Sequence, residues 1–414
     1  MKTFTKHIFF LLLLACTLGN ANAQDFWQKL TPIPGSNTKV HCLATNSKGH
    51  IFAGVDSYPD DGVFRSIDGG QSWQKVLTTF YPLRIKIDAN DVIYLGRDYP
   101  SVTVSKDDGK TWNEVEFPEV SSVTMIYTGG QDTIYVGGDS NNGALFLRSY
   151  DGATTWDTMV YVHPFPTPDE GANTTERVSS MVITSDGVFY IGVFGYIYPD
   201  YIGGLYRSYD QGNTWERVAT EVDFIEQLAI NSHDDIFIAS YSHGFCVLRS
   251  GAVSVEILIA YETYDVIVDH SDIVYASCYS FQACSYDNGL IFGRIPYAYI
   301  KRFYISQDGF LYAYHTDFND VYRSTQPILS DNEQIPITNN IKLYPNPATD
   351  YITIQLPDNE SGILSIYDLL GKKSFETTID AGSKVIDISK LKSNIYMLKI
   401  ETSSEVFTSK FIKN

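Results

Sequence analysis

Three arginines, Arg84, Arg177 and Arg302, and one acid, Glu226, each stand at the start of a short apolar stretch. A guanidinium pairs well with carboxylates, so this set could hold an acidic ligand. A second population mixes aromatic with hydrogen-bonding groups: Tyr58 between Asp56 and Asp61, Arg97 with Tyr99, Tyr196 and Tyr198, Tyr241 with His243, Tyr279, and His315 with Asp317. Such pairings suit a sugar or a peptide. Sharper chemistry is missing, with no Gly-x-Ser-x-Gly, no His-Glu-x-x-His and no Gly-rich phosphate loop. No metal and no cofactor are expected, and catalytic residues are unknown.

The elements that position these groups are read from composition first. The chain has 414 residues, a net charge of −19, and 30 Tyr and 23 Phe against 5 Met. That balance favours strands, because aromatic rings suit a pleated, half-buried surface. Its acidity argues against nucleic acid as a partner. Residues 1–23 carry Lys2, Lys6, an apolar run Ile8–Leu14 and the exit Ala21-Asn22-Ala23, the pattern of a secretory signal peptide too short to span a bilayer. A lipidated Cys16 is the competing reading, which Leu14 fits poorly. In an oxidising compartment, Cys278 and Cys284 could close the loop between them as a disulfide if their strands pair there. Cys42 and Cys246 read as small buried apolar residues.

Two repeats run through the chain. The first is Ser-x-Asp-x-Gly-x-x-Trp: Ser66, Asp68, Gly70, Trp73; Ser105, Asp107, Gly109, Trp112; and Ser208, Asp210, Gly212, Trp215. Ser149, Asp151 and Trp156 form a near copy with the Gly shifted, and Ser285-Tyr286-Asp287-Asn288-Gly289 lacks the Trp. The second repeat is an apolar strand ending in small residues, starting at 51, 93, 134, 189, 236, 273 and 310. A period near forty residues is the length of a four-stranded blade. Each blade reads strand A, strand B, strand C, turn motif, strand D, and Phe26-Trp27-Gln28-Lys29-Leu30 reads as a strand D with no blade before it. That strand is expected to complete the last blade.

The first repeat resembles the Asp-box of the BNR-repeat β-propellers, a group that includes sialidases. The resemblance implies an all-β, seven-bladed propeller over 24–325, with the boxed Ser, Asp, Gly and Trp as turn-makers. Its A–B and C–D turns share one face of the disc, and the B–C and D–A connections, which hold the aromatic candidates, share the other. Sialidases grip a carboxylate with three arginines, which is what Arg84, Arg177 and Arg302 would supply near the central opening. Against this, Phe292-Gly293-Arg294-Ile295-Pro296 lies too late in the chain to be that family's Arg-Ile-Pro motif, and six blades are usual there.

After a linker, 326–340, the pattern changes. Leu343-Tyr344-Pro345-Asn346-Pro347, Tyr367-Asp368-Leu369-Leu370-Gly371-Lys372, Asn394-Ile395-Tyr396 and a Lys-rich last strand resemble the type A C-terminal sorting domain of the type IX secretion system of Bacteroidetes. The resemblance covers 341–414 and implies a small immunoglobulin-like β-sandwich, the secretion machinery as a partner, and a destination outside the cell or on its surface. The expected function is binding of an extracellular glycan or protein, with a propeller-type glycoside hydrolase as the alternative. Residues 24–340 hold 19 basic and 40 acidic side chains, a net of −21, while 341–414 balance 9 Lys with 9 acids. All the excess acidity falls on the ring, which is expected to disfavour polyanions.

Overall fold

Short apolar runs broken by Gly, Asp or Asn make strands joined by tight turns, and every regular element among the described residues is a β-strand. The computed structural model describes residues 26–413 except 36–37, 57, 118–119, 131, 141–142, 158–159, 163–173, 198–199, 220–221, 280, 286–287, 290–292, 295–299, 329–341, 346, 356–360, 369–372, 381 and 403–405. The signal peptide, Cys16, Tyr198 and Asp287 thus lie outside the described residues. Two units follow one another, Met1–Ser330 and Asp331–Asn414.

In the first unit, β1 (Trp27–Lys29) precedes a series of antiparallel meanders. These are β2–β5 (Lys39–Thr45, Ile51–Asp56, Gly62–Ser66, Gln74–Thr78) and β6–β9 (Pro82–Ile87, Ile93–Arg97, Tyr99–Ser105, Asn113–Glu116). Next come β10–β13 (Ser122–Thr128, Ile134–Asp139, Leu145–Ser149, Val160–Tyr161) and β14–β17 (Thr174–Ile183, Phe189–Ile197, Asp200–Ser208, Glu216–Ala219), joined into one eight-stranded sheet where Asp139 faces Arg177. The series continues with β18–β21 (Ile225–Ile230, Ile236–Ser240, Gly244–Leu248, Glu256–Ile259) and β22–β25 (Thr263–Val268, Val274–Cys278, Phe281–Ser285, Gly293–Arg294). In the last sheet, β26–β28 (Arg302–Ile305, Leu311–Tyr314, Val321–Ser324) are completed by β1, with Trp27 opposite Ser324.

The second strand of each meander is buried on both faces, which is why it reads as an unbroken apolar run rather than an alternation: Ile51, Phe52, Ala53 and Val55 have no exposed surface. Its closing small residue lets the next sheet approach. A Cβ on Gly96 would meet Val123, and one on Gly137 would meet Val178, each at 2.6 Å. Apolar clusters bridge neighbouring sheets in turn, Phe52 and Val63 with Ile93 and Leu95, then Tyr94 and Val104 with Ile126 and Val136. The series returns on itself where Leu30, Val40 and Ile51 pack with Tyr312, Tyr314 and Val321.

The second unit holds β29–β35 (Lys342–Tyr344, Tyr351–Gln355, Gly362–Asp368, Lys373–Ile379, Ser383–Asp387, Asn394–Thr402, Val406–Lys413). Its two sheets, β29-β30-β33 and β32-β31-β34-β35, share one core containing Ile352, Ile386, Leu364, Leu398 and Phe411.

Candidate ligand face and lumen

The first strands of all the meanders converge on a cavity of about 300 Å³, touched by β2, β6, β10, β14, β18, β22 and β26. Six of these strands carry a bulge at the same level, one residue out of register, and the bulged residues are His41, Leu83, Thr124, Ser179, Glu226 and Tyr264. A bulge re-aims side chains. Here it also stitches sheet to sheet, since Thr124 donates to the Val178 carbonyl at 2.7 Å and Ser179 to the Ile225 carbonyl at 2.5 Å.

Lumen charges sit beside these bulges. Arg302 donates to Glu226 at 3.0 Å and to the Tyr264 carbonyl, and its Nη1 lies 3.9 Å from Asp265. Asp265 also accepts the Phe303 N–H at 2.6 Å, yet burial pushes its carboxyl up to about 6 against the pull of Arg302. Arg302 itself is raised, the attraction of Glu226 and Asp265 outweighing its burial. Arg84 and Lys86, two residues apart and so on one side of β6, have no such partner: among the described residues neither makes an ion pair, and the one hydrogen bond Arg84 donates goes to the Leu83 carbonyl at 2.9 Å. Desolvation among the lumen walls lowers the pKa of both although Lys86 keeps exposed surface, the charges of Arg302 and Arg177 lower Arg84 further, and Glu226 and Asp265 pull Arg84 and Lys86 respectively the other way. The lumen is therefore locally cationic inside an acidic ring.

Around the mouth of the lumen, each connection into a first strand is tied to the turn leaving the second strand of the same sheet: Asp98 N–H to Tyr81, Tyr241 to Phe224, Tyr279 to Glu262. These segments form one face. Exposed aromatic rings concentrate there: Tyr58, 80% exposed, Phe80, Tyr81, Tyr99, Tyr261, Tyr279 and Phe318. A half-buried arc continues them, with ring centroids of Phe194 and Phe224 at 3.7 Å, Phe224 and Tyr241 at 5.2 Å, and Tyr241 and Tyr264 at 6.1 Å. Arg177 caps one end, 4.1 Å over Phe194, and Lys301 the other, 5.2 Å over Tyr264.

The candidates separate on this map. Glu226 and Arg302 meet directly, Arg84 stands in the same lumen, and Arg177 and Tyr241 join the aromatic arc. Arg97 is spent inside its own sheet on Thr79, Ser101 and Glu114, and stacks on Tyr99. His243 is held by Ser242 at 2.8 Å. His315 is 3% exposed and accepts the Asp317 N–H at 3.0 Å, while Asp317 pairs with Lys301 at 3.3 Å. Tyr196 faces Tyr201 in the β15–β16 ladder. Sequence reasoning missed Lys86, Asp265, His41 and Tyr314. Aligning the first strands on their bulges, instead of on their starts, would have placed all but Tyr314, which lies on β27.

The disulfide expectation is corrected. Cys278 pairs across the ladder with Phe281 and Cys284 with Tyr275, so the two thiols are three rungs apart, and none of the four described cysteines, all buried, is in a disulfide.

The Ser-x-Asp turns occupy the opposite face. In each, the Ser hydroxyl accepts the N–H four residues on, at 2.8 Å for Gly70 and Gly212, and the Asp accepts from the backbone and hydroxyl of the residue before the Trp. These bonds hold Asp68, Asp107, Asp151 and Asp210 near pKa 2. The shifted copy keeps the geometry because Ala153 takes a φ of 66° where the other copies have Gly. The Trp rings share the cores of their own strands, Trp73 with Phe64 and Trp215 with Tyr206, and also reach the sheet before. Trp73 donates to the Thr31 carbonyl, Trp112 to that of Val76, Trp156 meets Phe117 and Trp215 meets Phe146, always in the preceding sheet or its connection. The recurrent Arg-Ser that ends the third strands has a matching role: Arg65, Arg148 and Arg249 donate to the carbonyls of Asp108, Gln211 and Asn288 in the next sheet's turn, each within 2.7 Å.

Residues 342–414 match the secretion system C-terminal sorting domain. The tail is an export signal. It marks the protein for the type IX system and for the cell surface or the medium beyond it. No curated protein matches the chain. Among solved structures, YCF48 from Cyanidioschyzon merolae is similar over 72% of this chain and 98% of its own, at TM-score 0.52 and 12% identity. The extracellular domain of the hybrid two-component system BT3049 from B. thetaiotaomicron is similar over 94% of this chain and 58% of its own, at 0.51 and 14%. Virginiamycin B lyase from Staphylococcus aureus is similar over 72% and 99%, at 0.53 and 10%. These likenesses give a propeller-like fold and no activity. Among the described residues no helix is long and apolar enough to cross a membrane.

Proposed function

We propose that the chain is a seven-bladed Asp-box β-propeller over 24–325, joined by the linker 326–340 to an immunoglobulin-like sorting module over 341–414, and that it binds an extracellular glycan or protein after export through the type IX machinery. The observation that carries this is the gathering of exposed rings on one face of the ring. Seven aromatic side chains stand out there, and the rings at the Ser-x-Asp turns that do so, Tyr150 and Tyr209, lie under Arg148 and Arg207. Exposed apolar area of this kind costs solubility unless it meets a partner. The channel mouth adds hydrogen-bonding groups from Arg177, Lys301 and Tyr264 to the ring faces, the combination that recognises sugars and peptide side chains.

A glycoside hydrolase is the second reading, because Glu226 and Asp265 converge in the lumen and Asp265 has the raised pKa of a general acid. Both carboxylates are bound to the same Arg302, which favours a structural role. Glycan and peptide arrays run beside a polysaccharide and sialoside hydrolysis screen separate the two. Binding without turnover supports the module; turnover abolished by Glu226→Gln and by Asp265→Asn supports the enzyme.

A further inference from the structure

The strongest unexplained feature is the pair Arg84 and Lys86. Their side chains lie about 7 Å apart at the backbone, two residues along one strand, and both reach the same 300 Å³ lumen. Counting the charges that face this space, Arg302 is matched by Glu226 and by Asp265, and His41 lies 3.7 Å from Asp56. Arg84 feels Glu226 and Lys86 feels Asp265 at longer range. The fold gives Arg302 direct carboxylate partners but leaves half-buried Arg84 and exposed Lys86 facing the lumen without an ion pair among the described residues. The remaining lining is suited to a small polar molecule: the Tyr314 and Tyr127 rings, Gln227 and Ser180.

We infer that the lumen is a binding site for a small carboxylate ligand, held by Arg84 and Lys86 together. A single carboxylate would bridge the guanidinium and the ammonium, and a short dicarboxylate would place one group on each. This site is distinct from the aromatic face above it and stands or falls separately from the ligand proposed there. It reverses the expectation from net charge, because a ring carrying −21 overall draws cations to its rim while its lumen selects an anion. Two sources offer this chemistry, a free organic acid or sugar acid that fits the lumen entirely, and an acidic side chain at the end of a peptide that threads into it.

Titration calorimetry on the full chain at low ionic strength, with succinate, glucuronate and the dipeptide Gly-Asp as probes and succinamide as the neutral control, tests this. At least one carboxylate should bind and succinamide should not; succinate or glucuronate would identify a free acid, and Gly-Asp alone a peptide end. Lys86→Met should weaken that binding at least tenfold, and Arg84→Met likewise. Lys86 is exposed and Arg84 half-buried, and neither makes an ion pair among the described residues, so both variants should melt close to the wild-type temperature and lost binding would not reflect lost folding. Absence of binding by every carboxylate, or affinity unchanged from wild type in both variants, overturns the assignment.

Discussion

Gln28 accepts a hydrogen bond from Arg323 Nη2 at 3.0 Å, across 295 residues of sequence, beside the register that sets Trp27 opposite Ser324. The first and last strands of the ring are thereby one sheet. Leu30 adds a bond to the Val321 carbonyl and packs beneath Gly70. Deleting residues 25–30 should lower the thermal midpoint by 10 °C or more in order of magnitude, and Leu30→Ala alone should cost about 2–5 kcal/mol in denaturant unfolding. An unchanged midpoint for the deletion would show that the closure contributes nothing.

The arginine clamps give a paired prediction. Arg148 reaches Gln211 and Asn213 in the next sheet, whereas Arg207 bonds Glu216 inside its own. Arg148→Met should cost about 1–3 kcal/mol, since it leaves a carbonyl unpaired, and Arg207→Met less than about 1 kcal/mol, as for an exposed ion pair. Equal losses in chemical denaturation would remove the inter-sheet role.

Two buried acids set the pH response. Burial raises Asp265 to about 6 from 3.8 and Glu176 to about 7 from 4.5, and Glu176 Oε2 has no hydrogen-bond partner among the described residues. Each keeps a proton in the fold that the unfolded chain has already released, so stability falls as pH rises from about 4 to 7. The Ser-x-Asp carboxylates act oppositely: their stabilisation is present above pH 4 and is lost as pH falls through about 2. Thermal unfolding across pH should therefore be highest between about 4 and 5. Glu176→Gln should match wild type at pH 5 and exceed it at pH 8, by at most about 3 kcal/mol. A flat difference across that range would contradict the assignment.

Fusing residues 341–414 to a reporter with a signal peptide should carry it out of a type IX host, and removing them from this chain should hold the ring back. Fractionation of cells and medium reads both. A truncated chain that is still exported would show that the tail is dispensable.

Much of the fold was legible because its signals are local. The Ser-x-Asp turns declare themselves by residue type, and the second strands by unbroken apolar runs, since both their faces are covered. What was hidden depends on contacts between sheets. The Arg-Ser endings repeat visibly, but only the neighbouring turn reveals why Arg65 and Arg148 are there. The same holds for the Trp rings, which also reach the preceding sheet. In the lumen, the sequence singled out Arg84, Glu226 and Arg302 by their place at strand starts, yet it could not see the bulges that bring Asp265 and Lys86 to the same space. The Cys278–Cys284 pairing failed on register, which loop length alone does not set.

The central claim is that the aromatic face binds the extracellular ligand. Array binding of wild type should be compared with a Tyr58→Ser, Tyr279→Ser, Phe318→Ser triple variant and with a control at the opposite face, Tyr150→Ser with Tyr209→Ser. All five positions substituted are exposed, so folding should be unaffected in each protein except for small losses where Arg148 and Arg207 lose their stacking partners. The account predicts that ligands recognised by wild type are retained by the control and lost, at least tenfold in affinity, by the triple variant. Retention by the triple variant, or loss by the control alone, would contradict it.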